Sequence, residues 1–262
     1  MRDRMNRFVS LISGSSGNAT FISDGKTNIL VDCGMSGSKL KEALSLIDVQ
    51  PESLDALLIT HEHSDHTKGA GVVSRRYDLP VYATIGTHAG LDIGNIDDKN
   101  IHFVKEDEVT EIRSIAVTPF AIPHDAEQPV GFTFQLGGEK YSLATDIGKM
   151  TNNILEHITG SKKVILESNH DIQMLQYGSY PFPLKQRILS DRGHLSNEMA
   201  SKTALYLVQN GTEHIALGHL SQENNRPEIA MLETYNLLTQ SDVKVGEDVI
   251  LQVAHRYKPT VL

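Results

Sequence analysis

Thr60-His61-Glu62-His63-Ser64-Asp65-His66 carries four potential metal ligands, His61, His63, Asp65 and His66, directly after the apolar run Asp55-Ala56-Leu57-Leu58-Ile59. That order reads as a metal site at the end of a buried strand. In extended geometry His61 and His63 point to the same side, because side chains alternate with period two. Asp65 and His66 follow once the chain has turned, where they can serve a second ion beside the first. The spacing therefore predicts two metals. Neutral imidazole and carboxylate suit zinc, manganese or iron. A closed single-zinc staple is the alternative, but such sites usually recruit cysteine, and Cys33 is the chain's one cysteine.

Composition bounds what this site can serve. A chain of 262 residues can bury a substantial core as one large α/β domain or two small ones. Hydrophobic content of 39% with 22% charged residues is ordinary for a globular protein. The formal charge of -9 argues against a broad basic surface, so a polyanion has to be gripped by local positive charge, above all by the metals. One cysteine excludes an internal disulfide framework and any disulfide-linked partner is unexpected, which fits the cytoplasm. The charged start Met1-Arg2-Asp3-Arg4 leads only to the short run Phe8-Val9-Ser10-Leu11-Ile12, so neither signal peptide nor membrane span is expected.

Outward from the motif, short apolar runs over 8–12, 19–22 and 28–31 read as strands, separated by Gly14-Ser15-Ser16-Gly17-Asn18 and by Asp24-Gly25-Lys26. Leu40, Ala43, Leu44 and Ile47 recur at helical spacing and predict a helix over 36–47 capped by Ser36 or Ser38. Helices over 67–77 and 84–91 flank a strand at Pro80-Val81-Tyr82-Ala83. From residue 100 the pattern turns antiparallel, with strands over 101–104, 108–112, 115–122, 130–136 and 140–144 and a hairpin turn at Gly137-Gly138. A helix over 152–158, a buried strand over 163–166, helices over 196–209 and 224–238 and a final strand over 248–253 complete the series. Two blocks of strands, each followed by helices, predict a single α/β domain over 1–262: a four-layer αββα sandwich with mixed sheets and outer helices.

Three more polar residues close apolar strands. His124 follows Phe120-Ala121-Ile122-Pro123, where the proline stops the ladder; Asp146 follows Tyr141-Ser142-Leu143-Ala144; His219 follows Ile215-Ala216-Leu217-Gly218. Alone, each is a loop residue or a ligand in equal measure. With the motif they complete two shells, His61, His63 and His124 for one ion and Asp65, His66 and His219 for the other, bridged by Asp146.

The motif, with Asp32 before it and His124, Asp146 and His219 after it, resembles the metallo-β-lactamase fold superfamily over nearly the whole chain. The resemblance implies the αββα sandwich, a dinuclear site at its edge, a catalytic role for Asp65, and hydrolysis by a metal-bridging hydroxide. The aspartate at 146 is similar to the glyoxalase, ribonuclease Z and ribonuclease J branches. Cys33 does not stand where true lactamases carry a cysteine ligand, which disfavours antibiotic hydrolysis. Glu167-Ser168-Asn169-His170-Asp171 resembles the acidic motif of nucleic-acid-processing members, and Arg192-Gly193-His194-Leu195-Ser196-Asn197 follows it too soon for a β-CASP insertion. With Gly14-Ser15-Ser16-Gly17-Asn18, these stretches look most like the WalJ/YycJ (VicX) family, which implies 5′-to-3′ exonuclease action on DNA with two divalent ions.

On chemical grounds two cations lower the pKa of a shared water and clamp a phosphoryl oxygen. His194, outside both shells, is available to protonate a departing sugar oxygen, and Glu167 to orient it. Asp32 would accept the other ring proton of a ligand histidine. Equally, His194 leads to a helix capped by Ser196. Asn169, His170, Ser196, Asn197 and Ser221 either touch substrate or fix their loops. Tyr177-Gly178-Ser179-Tyr180-Pro181-Phe182-Pro183 is a stacking wall for bases or a packed loop. Three functions stay open: a nuclease acting on DNA or RNA, a small ester or thioester hydrolase of the glyoxalase II type, and a binding protein with a degenerate site.

Overall fold

A computed structural model of the chain describes residues 6–262; residues 1–5, within the start that is expected to hold no signal peptide, lie outside them. The chain divides into two compact units, one running to Ala121 with Ala126–Gly138 and His255–Leu262, the other made of Ile122–Asp125 and Glu139–Ala254. The strands form two mixed sheets with helices beside them, the α/β class the sequence predicts.

In the first unit, β1 (Arg7–Ile12), β2 (Ala19–Ser23) and β3 (Asn28–Val31) form an antiparallel meander, and β4 (Ala56–Leu58), β5 (Val81–Ala83) and β6 (Ile101–Phe103) continue it in parallel. A last strand, Thr260–Val261, pairs antiparallel with the outer edge of β1. The register sets Val9, Phe21, Leu30, Leu57 and Val81 in one row across five strands. All are buried in one core with Leu40 and Leu44 of α1 (Gly37–Ser45) and with Val73, beyond the short α2 (Ser64–Thr67), in α3 (Ala70–Tyr77). Each such side chain contributes about 1.5–3 kcal/mol relative to exposure. The alternate residues Phe8, Ile22 and Ile29 are buried as well, so these strands read as continuous apolar runs rather than alternating ones. Helix α4 (Ile85–Gly90) follows β5, and β7 (Thr110–Ile112), β8 (Ile115–Ala121) and β9 (Val130–Leu136) form an antiparallel ladder. Phe134 of β9 lies 6.5 Å from Phe8 of β1 between ring centroids. Gly137 and Gly138 after β9 take φ of 57° and 88°, the double positive φ that a tight hairpin turn demands.

The second unit is built on four parallel strands in the order β10 (Glu139–Ala144), β11 (Lys163–Glu167), β12 (His214–Gly218) and β13 (Ile250–Val253). Val164, Ile165, Leu166, Ile215, Ala216 and Leu217 are all buried, as expected of parallel strands covered on both faces. Helix α5 (Asn152–Ile158) crosses from β10 to β11; α6 (Ile172–Tyr177), α7 (Phe182–Ile188) and α8 (Asn197–Gln209) lie between β11 and β12; α9 (Pro227–Gln240) leads to β13. Helix α8 packs on α9 and β11, and α9 on β13. Because the strands are parallel, the residues after β10, β11 and β12 emerge at one edge, the usual place for ligands in such sheets.

Several boundaries differ from the sequence reading. The helix expected over 67–77 is instead α2 and α3, separated at Lys68 and Gly69, and only glycine fits at 69, since a Cβ there would lie 2.0 Å from the Met35 carbonyl oxygen. The segment around Tyr177 to Pro183 is the end of α6 and the start of α7, with Tyr177 and Phe182 exposed. Val253 ends β13, not the strands of the chain, since Thr260–Val261 follows. Among the described residues no helix is long and apolar enough to cross a membrane.

Candidate metal centre

In the first unit the donors hang from the ends of β3 and β4. Asp32 follows β3 in the left-handed region, φ 59°, and its N–H donates to the Leu58 carbonyl at 2.8 Å. That bend carries the carboxylate across to the residues after β4. Asp32 Oδ1 accepts from the Thr60 N–H at 2.9 Å, and Oδ2 accepts from Thr60 Oγ1 at 2.9 Å and lies 2.8 Å from His66 Nδ1. Thr60 Oγ1, its proton given to Asp32, is 3.0 Å from His61 Nδ1 and accepts from it. Both rings are thereby assigned as Nδ1–H tautomers, which makes Nε2 the acceptor nitrogen of each ring, the form in which an imidazole can bind a metal. The His61 ring centroid lies 4.6 Å from that of His63 and 4.1 Å from that of His66, and Asp65 Oδ2 is 3.5 Å from His66 Nε2.

The turn bearing Asp65 and His66 is fastened by backbone. Asn18 N–H donates to the Asp65 carbonyl, Gly34 N–H to the Asn18 carbonyl and Cys33 N–H to the His66 carbonyl, at 2.8, 2.8 and 2.7 Å. The Asn18 amide nitrogen lies 3.1 Å from His66 Nε2 and 3.4 Å from Asp65 Oδ2. Gly34 is obligatory, since a Cβ there would stand 1.7 Å from the Asp65 carbonyl oxygen.

In the second unit Glu167, fully buried at the end of β11, holds the other group together. Its Oε1 lies 2.9 Å from His194 Nδ1 and 2.8 Å from His219 Nδ1; Oε2 accepts from the Ile147 and Leu195 N–H groups at 2.7 and 2.9 Å. Burial alone would raise its carboxyl pKa, but attraction by His194 and the hydrogen bonds from both imidazoles outweigh it and hold the group well below the usual carboxylate range. His124 Nδ1 donates to the Gly193 carbonyl at 3.1 Å. Burial pushes the His124 pKa down, which favours the neutral ring a metal needs. Asp146 and His219, at φ 60° and 55°, turn back from the ends of β10 and β12. One ligand atom from each of Asp146, Glu167, His194 and His219 lies within 4.8 Å of the others.

Each unit thus brings its expected residues together: Asp32, His61, His63, Asp65 and His66 in one, His124, Asp146, Glu167, His194 and His219 in the other. The donor chemistry fits divalent metal, because the imidazoles with assigned partners are held at Nδ1 by oxygen acceptors and offer Nε2 beside carboxylates. The remaining polar residues fasten loops. Asn169 Nδ2 donates to the His219 carbonyl, Asn197 Oδ1 accepts from Ser168 Oγ, Ser196 caps α8 by accepting from Met199 N–H, and Ser221 Oγ accepts from Asn224 N–H. His170 is buried, neither ring nitrogen has a hydrogen-bond partner among the described residues, and burial pushes its pKa to about 4. Thr60, Asn18 and Asn225 were missed in the sequence. Asn225 donates to the carbonyls of Ser168 and Asn169 and to Asn197 Oδ1, tying the loop after β11 to the start of α8. For Thr60 and Asn18 the signal was present, since they stand in the two stretches already singled out.

The profile of the beta-lactamase superfamily domain matches residues 27–219. Exodeoxyribonuclease WalJ of Streptococcus pneumoniae is 39% identical over 246 residues, covering 92% of this chain and 91% of that protein. Exodeoxyribonuclease YycJ of Bacillus anthracis is 37% identical over 242 residues, 92% of each. Among solved structures, the metallo-beta-lactamase fold protein YhfI of Bacillus subtilis superposes with a TM-score of 0.69 over 98% of this chain and 100% of its own, at 15% identity, a likeness of fold alone. With its ligand motif, its strand-end donors and these relatives, the chain belongs to the beta-lactamase superfamily, alongside WalJ and YycJ.

Proposed function

We propose that this chain is a metal-dependent phosphodiesterase that removes nucleotides from DNA in the 5′-to-3′ direction, acting in the cytoplasm as one catalytic domain. The observation that carries the reading is the Glu167 carboxylate shared by His194 and His219, both at Nδ1. A hydrolase of small thioesters, whose leaving group needs little help, has no evident use for an imidazole so prepared. The identity with the exodeoxyribonucleases WalJ and YycJ favours DNA over RNA.

In this reading His61, His63 and His124 would hold one divalent ion and Asp65, His66 and His219 a second, with Asp146 available to both; zinc and manganese suit the donors, and iron is compatible. Two such ions, when bound, would supply an activated water and neutralise charge on the phosphoryl oxygens. The protein's own groups do the rest. Asp32 and Thr60 keep His66 and His61 in the ligating tautomer. Glu167 does the same for His219. His194, whose side chain is 20% exposed while Glu167 is fully buried, is the group to protonate the departing sugar oxygen, and Glu167 orients its ring through Nδ1. Asp65 orients the attacking water. The exposed rings of Tyr177 and Phe182 offer stacking surfaces to bases.

The test is degradation of 5′- and 3′-end-labelled single- and double-stranded DNA and RNA with manganese or zinc, wild type against His194→Ala, beside a thioester substrate. Stepwise metal-dependent loss from the 5′ end of DNA, reduced at least a hundredfold in the variant at unchanged metal content, is the expected result. Thioester turnover without nucleic-acid cleavage refutes it.

A further inference from the structure

The first unit contains a cavity of about 320 Å³ that the metal chemistry does not use. Ligand sites run from about 300 to 1,000 Å³, so this one has room for a single small group rather than a length of strand. Its lining includes Ser36, the N-cap of α1, with Lys39 and Glu42 along that helix, Lys68 at the end of α2, and Arg256 and Tyr257 beyond β13. Three cations face one carboxylate, a local excess of positive charge on a chain whose net charge is -9. Neither Lys39 nor Lys68 has an ion-pair or side-chain hydrogen-bond partner among the described residues. The first turn of α1 carries no acidic residue, so its positive helix end adds to the excess. Tyr257, 75% exposed, stands among the cations with its ring available for stacking.

The position of this cavity is built in, not incidental. Lys68 caps the same short helix that carries Asp65 and His66. Arg256 and Tyr257 are held from both sides: Ser13 N–H donates to the His255 carbonyl, His255 N–H to Thr260 Oγ1, and Thr260–Val261 pairs with β1. Cations around a recess with an aromatic ring beside them match the chemistry of a phosphate joined to a base.

We propose that this cavity is a subsite for one nucleotide of the nucleic-acid substrate away from the scissile bond, with Lys39, Lys68 and Arg256 on a phosphate and Tyr257 stacked on a base; it rests on the nuclease reading above. It supplies the local positive charge that an acidic exonuclease needs to hold its strand between cuts.

The test measures binding apart from cleavage. A fluorescein-labelled, phosphorothioate-linked ten-nucleotide DNA is titrated onto metal-loaded protein by anisotropy at several salt concentrations. In the double variant Lys39→Ala/Arg256→Ala the Kd rises at least tenfold and the salt slope becomes shallower by about 1.4, since each phosphate contact on a single strand is worth about 0.7. In Tyr257→Ala the Kd rises about tenfold with the salt slope unchanged, and Tyr257→Phe restores it. Turnover of bis(p-nitrophenyl) phosphate, which carries no second nucleotide to occupy the subsite, stays within twofold in all three. Kd values within twofold of wild type, absence of DNA binding by the wild type, or loss of small-diester turnover in step with DNA binding overturn the inference. Wild-type protein that binds the DNA through these residues yet degrades no nucleic acid supports the subsite and refutes the exonuclease reading instead.

Discussion

Replacing Glu167 with glutamine changes one oxygen for one NH2 in a fully buried group whose two ends face four donors. If the amide oxygen keeps the Ile147 and Leu195 N–H groups, the NH2 faces His194 and His219 and forces their Nδ1 atoms to accept. The ring protons then move to Nε2, and His219 loses the lone pair with which it would bind metal. If the amide turns the other way, two backbone N–H groups point at an NH2, each at a desolvation cost of about 1–3 kcal/mol. Even in the less costly first orientation two charge-assisted bonds of about 1.5–3 kcal/mol give way to neutral ones of about 0.5–1.5, so Glu167→Gln should destabilise the metal-free protein by at least ~2 kcal/mol. At about 2–4 °C per kcal/mol for a chain of this size, the melting temperature should fall by at least ~4 °C. Metal affinity should fall about 10–100-fold. Urea unfolding of the metal-free protein, together with metal content after dialysis, reads both effects. The pH dependence has a defined sign: the folded-state pKa of Glu167 is depressed, so its contribution is complete above the ordinary carboxylate range and is lost as pH falls below it. The difference between wild type and variant should therefore shrink toward acid. A variant within 1 kcal/mol of wild type at pH 7, with metal content unchanged, would refute the account of Glu167 as the common holder of two imidazoles.

Three further predictions rest on other parts of the molecule. Gly34→Ala should displace the Asp65 turn, because its Cβ meets backbone at 1.7 Å; a loss of at least ~3 kcal/mol and depleted metal are expected, by urea titration and metal analysis. His170 and His214 both sit near pKa 4 through burial, below the unfolded value of about 6.5, so their contribution is present above pH 6.5 and is lost as pH falls toward 4. His170→Leu should flatten the fall in the urea midpoint over that window, and an equally steep fall in the variant would exclude the role. Cys33 is buried, its thiol pushed up to about 12, so it should resist Ellman's reagent in the folded protein and react at once in denaturant.

What the sequence revealed and what it hid follow from the range of each interaction. The His61 to His66 motif is local, and the strand-end donors His124, Asp146 and His219 are each a polar residue closing an apolar run, so both were readable without a structure. The partners of Asp32 and Glu167 were proposed only in outline, because the links from Asp32 to His66 and from Glu167 to His219 span 34 and 52 positions and exist only in the parallel register of adjacent strands. Helices α6 and α7 escaped since their starts are marked by the Asp171 cap and by Pro181 rather than by apolar periodicity over so few turns. Thr260–Val261 was invisible for a simpler reason: two residues carry no period, and only the edge of β1 makes them a strand. The cavity beside α1 depends on that strand, and so could not be read either.

Asp32, Asp146 and His219 share a left-handed backbone at φ 59°, 60° and 55°. Left-handed geometry strains an L-residue by about 1 kcal/mol, and glycine escapes the strain entirely. At three points the chain's shape asks for glycine while its chemistry asks for a carboxylate or an imidazole. At Asp32 the chemistry outweighs the strain, because a glycine there would leave the Thr60 N–H, the Thr60 hydroxyl and the His66 imidazole without their acceptor, at about 1–3 kcal/mol each. The strain is held in place by the same bonds that set the imidazole tautomers, so a library screened only for survival of heat would keep Asp32 as firmly as one screened for turnover.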